Sequence, residues 1–210
     1  MKTKRNIYSF LTASLALLVP SPGRFAYGIL LLFMLNLLML AGTLFKHLVK
    51  VLDLDELLPV LLAVFLMTVS VIFKQLLITL SPLAALTLGF IIYMPAVSSF
   101  LIGNLYSQNS DNIKENLAVN LKESILFSIF ALAVFLFRDI FGYGTISLPA
   151  ASGLVEISLI KVREGGFYPG IFWATIPGAL VIIALSLAIY VHVISKFNQV
   201  KEQEESNANA

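Results

Sequence analysis

Two adjacent serines that follow a proline inside an apolar stretch are the first candidates for a functional site in this chain. The stretch at residues 86–104 reads LTLGFIIYMPAVSSFLIGN and carries Ser98 and Ser99 shortly after Pro95. Proline removes a backbone donor and clashes with the preceding helical turn, and hydrocarbon supplies no water to the carbonyl that loses its partner. The pattern therefore predicts a broken membrane helix that forms either a site or a close helix contact.

Four further residues place a charge or an amide in or beside apolar segments. Lys74 is a candidate for an ion path because intramembrane charges are costly and often functional, but its place near a segment end favours a side chain that extends to the interface. Asn36 is the better interior polar candidate, and interhelical hydrogen bonding is its ordinary role. For Arg138 and Asp139 we expect a structural role, as a charge pair at the membrane edge.

Several classes of chemistry are excluded by the residues that the chain lacks. It contains zero cysteines, so it can form no disulfide, no thiolate nucleophile and no Cys-ligated metal centre. It has no phosphate-binding glycine loop, no G-x-S-x-G turn and no H-E-x-x-H helix. A net charge of +2 gives no nucleic-acid footprint. We expect no catalytic residue, no cofactor and no metal site in this chain, and at most a non-catalytic role in an enzyme complex.

The composition predicts an integral membrane protein. Of the 210 residues, 59% are hydrophobic and 12% are charged, and the mean hydropathy is +0.92. Long apolar runs without the dyad alternation of a barrel favour an all-α fold. We expect a single membrane domain over residues 1–200, with a polar, disordered tail at 197–210. The predicted segments are about residues 7–19 (a half-span), 25–49, 57–78, 83–102, 121–137 and 172–194.

The distribution of Lys and Arg predicts the orientation of these six segments. An even number of crossings places both termini on one side, and cytoplasmic loops carry the excess of cations. The terminus side holds nine cations (Lys2, Lys4, Arg5, Lys46, Lys50, Lys114, Lys122, Lys196 and Lys201) and the other side holds five (Arg24, Lys74, Arg138, Lys161 and Arg163). We therefore expect both termini to be cytoplasmic.

The order of short and long segments predicts an internal repeat. Residues 7–80 and 83–195 each open with a short or interrupted segment and continue with two fuller ones. Because each half has an odd number of segments, the two halves would be oppositely oriented, as in proteins with inverted repeats whose broken helices meet at mid-membrane. Segments one and four are the broken helices of this scheme.

Three stretches resemble the paired membrane subunits of Rnf and Nqr electron-transport complexes. LGFIIYMPAVSSFLIG resembles the family's fourth-helix motif L-G-I-F-I-P-L-I-V-T-N-C-I-V-V-G, with the spacing of Gly89 and Gly103 kept. FRDIFGYGTISLP resembles L-R-E-I-x-G-x-G-T-x-F, and IPGALVI resembles P-P-G-A-F-I. Tyr93 stands where the family has proline, and Pro95 follows two residues later. The order of the segments and the cytoplasmic termini resemble the RnfE/NqrD-like member of the pair.

The resemblance implies a bacterial inner-membrane subunit that pairs with an RnfA/NqrE-like subunit of opposite orientation and with other redox subunits. In that family, each partner supplies one cysteine from each of two broken helices, and four thiolates hold an iron–sulfur centre, such as a 2Fe–2S cluster. Here the matched positions are Ser14 and Ser99. A hydroxyl is a poor ligand for such a cluster, so we expect none held by this chain.

Three hypotheses follow. In the first, the chain is a structural and ion-path subunit of an Rnf/Nqr-like complex without its own iron centre. In the second, it is a small-solute or ion transporter that keeps the inverted-repeat fold and has lost the redox role. The third is a general membrane scaffold.

Overall fold

The computed structural model describes residues 13, 15–106, 113–150, 153–159, 170–186, 188–189 and 192. Apolar stretches form helices here because a helix satisfies its own backbone donors and acceptors. The helices are α1 (Phe25–Val51), α2 (Leu58–Leu80), α3 (Pro82–Leu88), α4 (Met94–Tyr106), α5 (Ile113–Tyr143), α6 (Ile171–Ala174) and α7 (Ile176–Ser186). Short 3-10 turns at Asp55–Leu57 and Gly89–Tyr93 precede α2 and α4.

Four helical stretches in the described part of the chain are long and apolar enough to cross a membrane. They are Phe25–Val51, Asp55–Leu80, Pro82–Leu101 and Asn116–Tyr143, and α7 is apolar but shorter. A mostly helical protein with membrane-spanning potential is therefore confirmed. Of the predicted first segment, residues 13 and 15–17 are described and helical. Residues 18–19 of that segment form a turn, while its residues 7–12 and 14, parts of the sixth segment and the predicted tail at 197–210 lie outside the described residues.

The fourth predicted segment is broken, but at a different residue from the one predicted. The α-helix ends at Leu88, continues as the 3-10 turn Gly89–Tyr93 and resumes at Met94. Gly89 has φ +47° and ψ −114°, a conformation that L side chains rarely adopt, so glycine permits the change of backbone direction. Pro95 lies in the first turn of α4, where its missing N–H has no intrahelical partner to lose.

The fifth segment is longer than predicted at both ends. It begins at Ile113 instead of 121 and continues to Tyr143, so the prediction that it stops at Arg138 and Asp139 is wrong. Both side chains are almost completely buried, at 1% and 0% exposed. Charges that resemble a membrane edge in the sequence are tolerated inside the fold because other parts of the chain supply their partners.

The all-α prediction is wrong for one element, a β-hairpin after α5. Strands β1 (Thr145–Ala150) and β2 (Gly153–Ser158) pair antiparallel, with Thr145 opposite Ser158 and Ala150 opposite Gly153. The hairpin packs against the α2–α3 turn, where the Ser81 hydroxyl donates to the Ala150 carbonyl at 3.4 Å. This two-stranded sheet gains its stability from such packing, since an isolated hairpin is marginal.

Helix α1 lies at the centre of the helical packing. It contacts α5, α4, α2 and β1, and half of its most apolar window is buried, against 22% for α2. Its approach to α5 depends on Gly28, where an added Cβ would lie 2.5 Å from the Phe135 ring. Small residues permit such close contact between apolar helices, where no hydrophobic effect drives their association in lipid.

Candidate functional site

Arg138 binds the ends of two short helical pieces. Its guanidinium donates to the Leu18 carbonyl at 2.8 Å, to the Ala174 carbonyl at 2.9 Å and to the Trp173 carbonyl at 3.3 Å. Leu18 follows the helical residues 15–17, and Trp173 and Ala174 end α6. Carbonyls at a helix C-terminus lack intrahelical donors, so the fork of the guanidinium satisfies three of them.

The close packing of α5 on α6 brings these carbonyls to Arg138. A Cβ added at Gly142 would lie 2.7 Å from the Ala174 Cβ, and one added at Gly23 would lie 3.0 Å from the Ala174 Cα. Both glycines thus let backbone approach backbone around Ala174. The first predicted segment and α6 are held to the same end of α5 in this way.

Asp139 binds the opposite kind of helix end. Its Oδ2 accepts from the Phe25 N–H at 3.1 Å, from the Ser147 N–H at 2.7 Å and from the Ser147 hydroxyl at 2.6 Å. Helix α1 has Arg24 at its N-cap and no capping hydrogen bond from that side chain. The carboxylate of Asp139 therefore supplies the acceptor and the negative charge that favour a helix N-terminus.

Ser147 completes this cap from β1. While its hydroxyl donates to Asp139, the same oxygen accepts from the Ala26 N–H at 3.1 Å. The hairpin missed by the sequence prediction is thus part of the cap of α1. Arg138 and Asp139, consecutive residues of α5, satisfy carbonyl ends and an amide end respectively. They do not form the charge pair with each other that the sequence predicts, because the ion partner of Asp139 is Arg24 and the partners of Arg138 are backbone carbonyls.

Arg24 joins the cap to the hairpin at the protein surface. It donates to the Thr145 hydroxyl at 2.9 Å, pairs with Glu156 at 3.1 Å and lies 3.9 Å above the Tyr143 ring. Its distance to Asp139 is 3.7 Å. Its side chain is 20% exposed and that of Glu156 is 44% exposed, so this ion pair is weaker than the buried contacts beneath it.

The first and fourth predicted segments meet inside the fold. The Ser98 hydroxyl donates to the Ala13 carbonyl at 3.2 Å, and both residues are fully buried. Ser99 is also buried, at 4% exposed. Ser14 lies outside the described residues, so the contact that the structure shows is between Ala13 and Ser98, the immediate neighbours of Ser14 and Ser99. Gly103, the last residue of that motif, lies within α4.

Asn36 forms a hydrogen-bonded bridge between α1 and α5, the ordinary role considered from the sequence. Its amide donates to the Ser128 hydroxyl at 2.8 Å and to the Leu32 carbonyl at 2.7 Å, and its carbonyl oxygen accepts from the Ser124 hydroxyl at 2.7 Å. Towards the C-terminal end of α1, near Lys46, the Asn120 amide donates to the Thr43 hydroxyl at 3.0 Å. These five residues form what we call the α1–α5 polar seam: Asn36, Thr43, Asn120, Ser124 and Ser128.

Lys74 is half-buried on α2, and its ammonium lies 5.4 Å from the centroid of the Tyr93 ring. This cation–π contact links α2 to the 3-10 turn in the broken segment.

The residues do not fit an iron–sulfur cluster held by this chain. Such clusters take thiolate ligands, and the chain has zero cysteines. Among the described residues, no group of three or more His, Cys, Asp or Glu side chains could hold a metal ion. Hydroxyls, amides, one guanidinium and the Asp139 carboxylate make up the buried polar chemistry described above. The two charged groups are already engaged by hydrogen bonds to helix ends, so the arrangement serves to position helices.

Comparisons with the models of known protein families and with curated proteins gave no match for this chain.

Several residues of the site could not be assigned from the sequence. Asp139 is contacted by Ser147 and Thr145 of the hairpin and by Arg24 before α1. In the sequence, only the few β-branched residues near Gly144 and Gly153 hint at the hairpin. The buried state of Arg138 depends on carbonyls that are distant in sequence, so no local pattern predicts it.

Proposed function

We propose that this chain is an integral membrane subunit of an Rnf/Nqr-like ion-translocating electron-transport complex and that it supplies no ligand to an iron centre. The observation that supports this most directly is the buried contact of Ser98 with the Ala13 carbonyl. It joins the two segments whose family counterparts each offer a cluster cysteine, beside the positions occupied by Ser14 and Ser99.

In this proposal the chain has six membrane segments in two inverted three-helix repeats, with both termini in the cytoplasm of a bacterium. Two features support it. The third and fourth segments meet in a turn at Ser81, which is the proposed boundary between the repeats. The fourth segment is interrupted at Gly89. The electron carriers reside in other chains, and this chain supplies half of the membrane core, paired with an RnfA/NqrE-like subunit.

The proposal is tested by isolating the tagged chain from its native membranes in mild detergent and identifying the proteins that accompany it. We expect an RnfA/NqrE-like subunit in the eluate, and we expect iron and visible absorption to follow the other redox subunits. Recovery of the chain alone, as a homo-oligomer without redox subunits, would contradict the proposal.

A matched pair of variants sharpens this test. Ser98→Val removes the hydroxyl that joins the first and fourth segments, so it should lower the recovery of the partner. Thr79→Val removes an exposed hydroxyl that bonds only within its own helix, to the Gln75 carbonyl, and should leave recovery unchanged. Equal recovery of the partner with both variants would show that partner binding does not depend on the contact between the first and fourth segments.

The alternative, a transporter of small solutes or ions, has one observation in its favour. Ends of discontinuous helices bind ions in transporters, and here three carbonyls at two such ends converge on Arg138. Flux of Na⁺, K⁺ or H⁺ through vesicles that contain only this chain would favour the transporter over the redox subunit, and the absence of flux would favour the subunit.

A further inference from the structure

A small cavity lies beside the polar seam, between α1, α2, α4 and α5. Its volume is about 10 Å³, and eight residues line it: Met39, Gly42, Thr43, Lys46, Leu62, Leu66, Ser99 and Asn120. Seven of them are buried, and only Lys46 is partly exposed. The cavity is therefore reached past the Lys46 side chain, at the end of α1 that carries Lys50.

One wall of this cavity is polar and the other is apolar. Leu62 and Leu66 of α2 form the apolar wall, while the Thr43 hydroxyl, the Asn120 amide and the Ser99 hydroxyl lie on the other three helices. Thr43 and Asn120 bond to each other, which leaves the second lone pair of the hydroxyl and the second amide proton for a further partner.

Size and polarity together identify the ligand class. A buried site needs roughly 10–15 Å³ of free volume and two to four polar partners to hold a water molecule, whereas purely apolar cavities stay dry. We propose that this cavity is a binding site for one water molecule, which connects Ser99 of α4 to the Thr43–Asn120 pair between α1 and α5. The proposal does not depend on membership of a redox complex.

A bound water at this place gives Ser99 a polar contact with the seam. Ser99 follows Ser98, which bonds to the Ala13 carbonyl, so the water extends the polar contacts of the broken segment from the first segment to α1 and α5. Four helical pieces then share polar contacts at the position where the resembled family has a cysteine. The packing of α4 against its neighbours is thereby stabilised by hydrogen bonds.

X-ray radiolysis of the purified full chain in detergent tests the site, because hydroxyl radicals form from bound water and oxidise adjacent methionine. Met39 lines the cavity and is 3% exposed, and Met34, on the same helix, is fully buried and does not line it. We expect sulfoxide to form at Met39 several-fold faster than at Met34. Equal, slow oxidation of the two residues would mean a dry cavity and would overturn the proposal.

Variants assign the oxidation to this site. Thr43→Val keeps the side-chain shape and removes the hydroxyl, so Met39 oxidation should fall towards the Met34 rate. Thr68→Val removes an exposed hydroxyl that bonds the Val64 carbonyl within α2, and it should leave the Met39 rate unchanged. If Thr43→Val does not fold, Ser99→Ala provides the same comparison with a smaller change. If neither Thr43→Val nor Ser99→Ala lowers the rate of Met39 oxidation, the proposal is overturned.

Discussion

Replacing Arg138 by methionine should destabilise the fold more than any exposed charge substitution. The guanidinium donates to three carbonyls, those of Leu18, Trp173 and Ala174, at 2.8–3.3 Å. Interhelical hydrogen bonds in membrane proteins average about 0.6 kcal/mol and reach about 1.7 kcal/mol each. Three bonds from a buried cation therefore predict a loss of about 2–5 kcal/mol in the free energy of unfolding.

Unfolding in mixed micelles with increasing dodecyl sulfate measures this loss. Trp173 is the single tryptophan of the chain and its carbonyl accepts from Arg138, so its fluorescence reports the perturbed contact directly. Arg138→Lys should have an intermediate effect, since an ammonium keeps the charge and lacks the planar fork. Lys122→Met, an exposed change on the same helix, should lie within about 0.5 kcal/mol of the wild type.

An Arg138→Met protein whose free energy of unfolding equals that of the wild type within about 0.5 kcal/mol would contradict this role of Arg138. The carbonyls of the two short helical pieces would then be satisfied by other groups, and Arg138 would not hold them to α5.

Two further substitutions test other contacts of α1 by the same unfolding assay. Asp139→Asn should lower the free energy of unfolding by about 1–3 kcal/mol, because it removes a buried charge that accepts several hydrogen bonds. The control Glu156→Gln changes an exposed side chain and should alter the free energy of unfolding by less than about 1 kcal/mol. Equal effects of the two substitutions would contradict the role of Asp139 as the cap of α1. Gly28→Ala should lower the free energy of unfolding by about 1–3 kcal/mol, because its Cβ meets the Phe135 ring. Gly42→Ala, where the nearest side-chain atom is 3.3 Å from the added Cβ, should lower it by less. A larger loss for Gly42→Ala than for Gly28→Ala would contradict the close packing of α1 on α5.

Sequence periodicity and composition predicted the long helices well. The predicted segments at 25–49, 57–78 and 83–102 correspond to α1, α2 and the α3–α4 pair, with ends that differ by only a few residues. A continuous apolar run determines such helices locally, because any other conformation would leave backbone groups unsatisfied in lipid. Prediction of the break in the fourth segment succeeded for its existence and failed for its position, since Gly89 and not Pro95 has the unusual backbone angles.

Tertiary partners explain what the sequence could not predict. Arg138 and Asp139 resemble the polar end of a span, yet α5 continues past them because distant groups satisfy both side chains. These groups include the carbonyls of Leu18 and Ala174 and the amide of Phe25. The β-hairpin is short and contains a proline, Pro149, in β1. That residue weakens the strand signal, and packing against other elements determines the hairpin instead.

Cysteine cross-linking measures the contact between the first and fourth segments, on which the proposed function depends. The natural chain has zero cysteines, so each introduced pair is read without background. The Ile146→Cys, Ile157→Cys pair, at directly opposite positions of β1 and β2, serves as the positive control inside the fold, because opposite residues of an antiparallel pair have Cα atoms about 4.5–5.5 Å apart. Two cysteines form a disulfide without backbone movement when their Cα atoms are about 4.4–6.8 Å apart.

We predict that the Ala13→Cys, Ser98→Cys protein forms an intramolecular disulfide in native membranes on mild oxidation. The pair Ala13→Cys, Val97→Cys should not, because Val97 is 37% exposed and Ser98 fully buried on the same helix. Failure of the first pair to cross-link under conditions in which the positive control does would contradict the contact between the two segments.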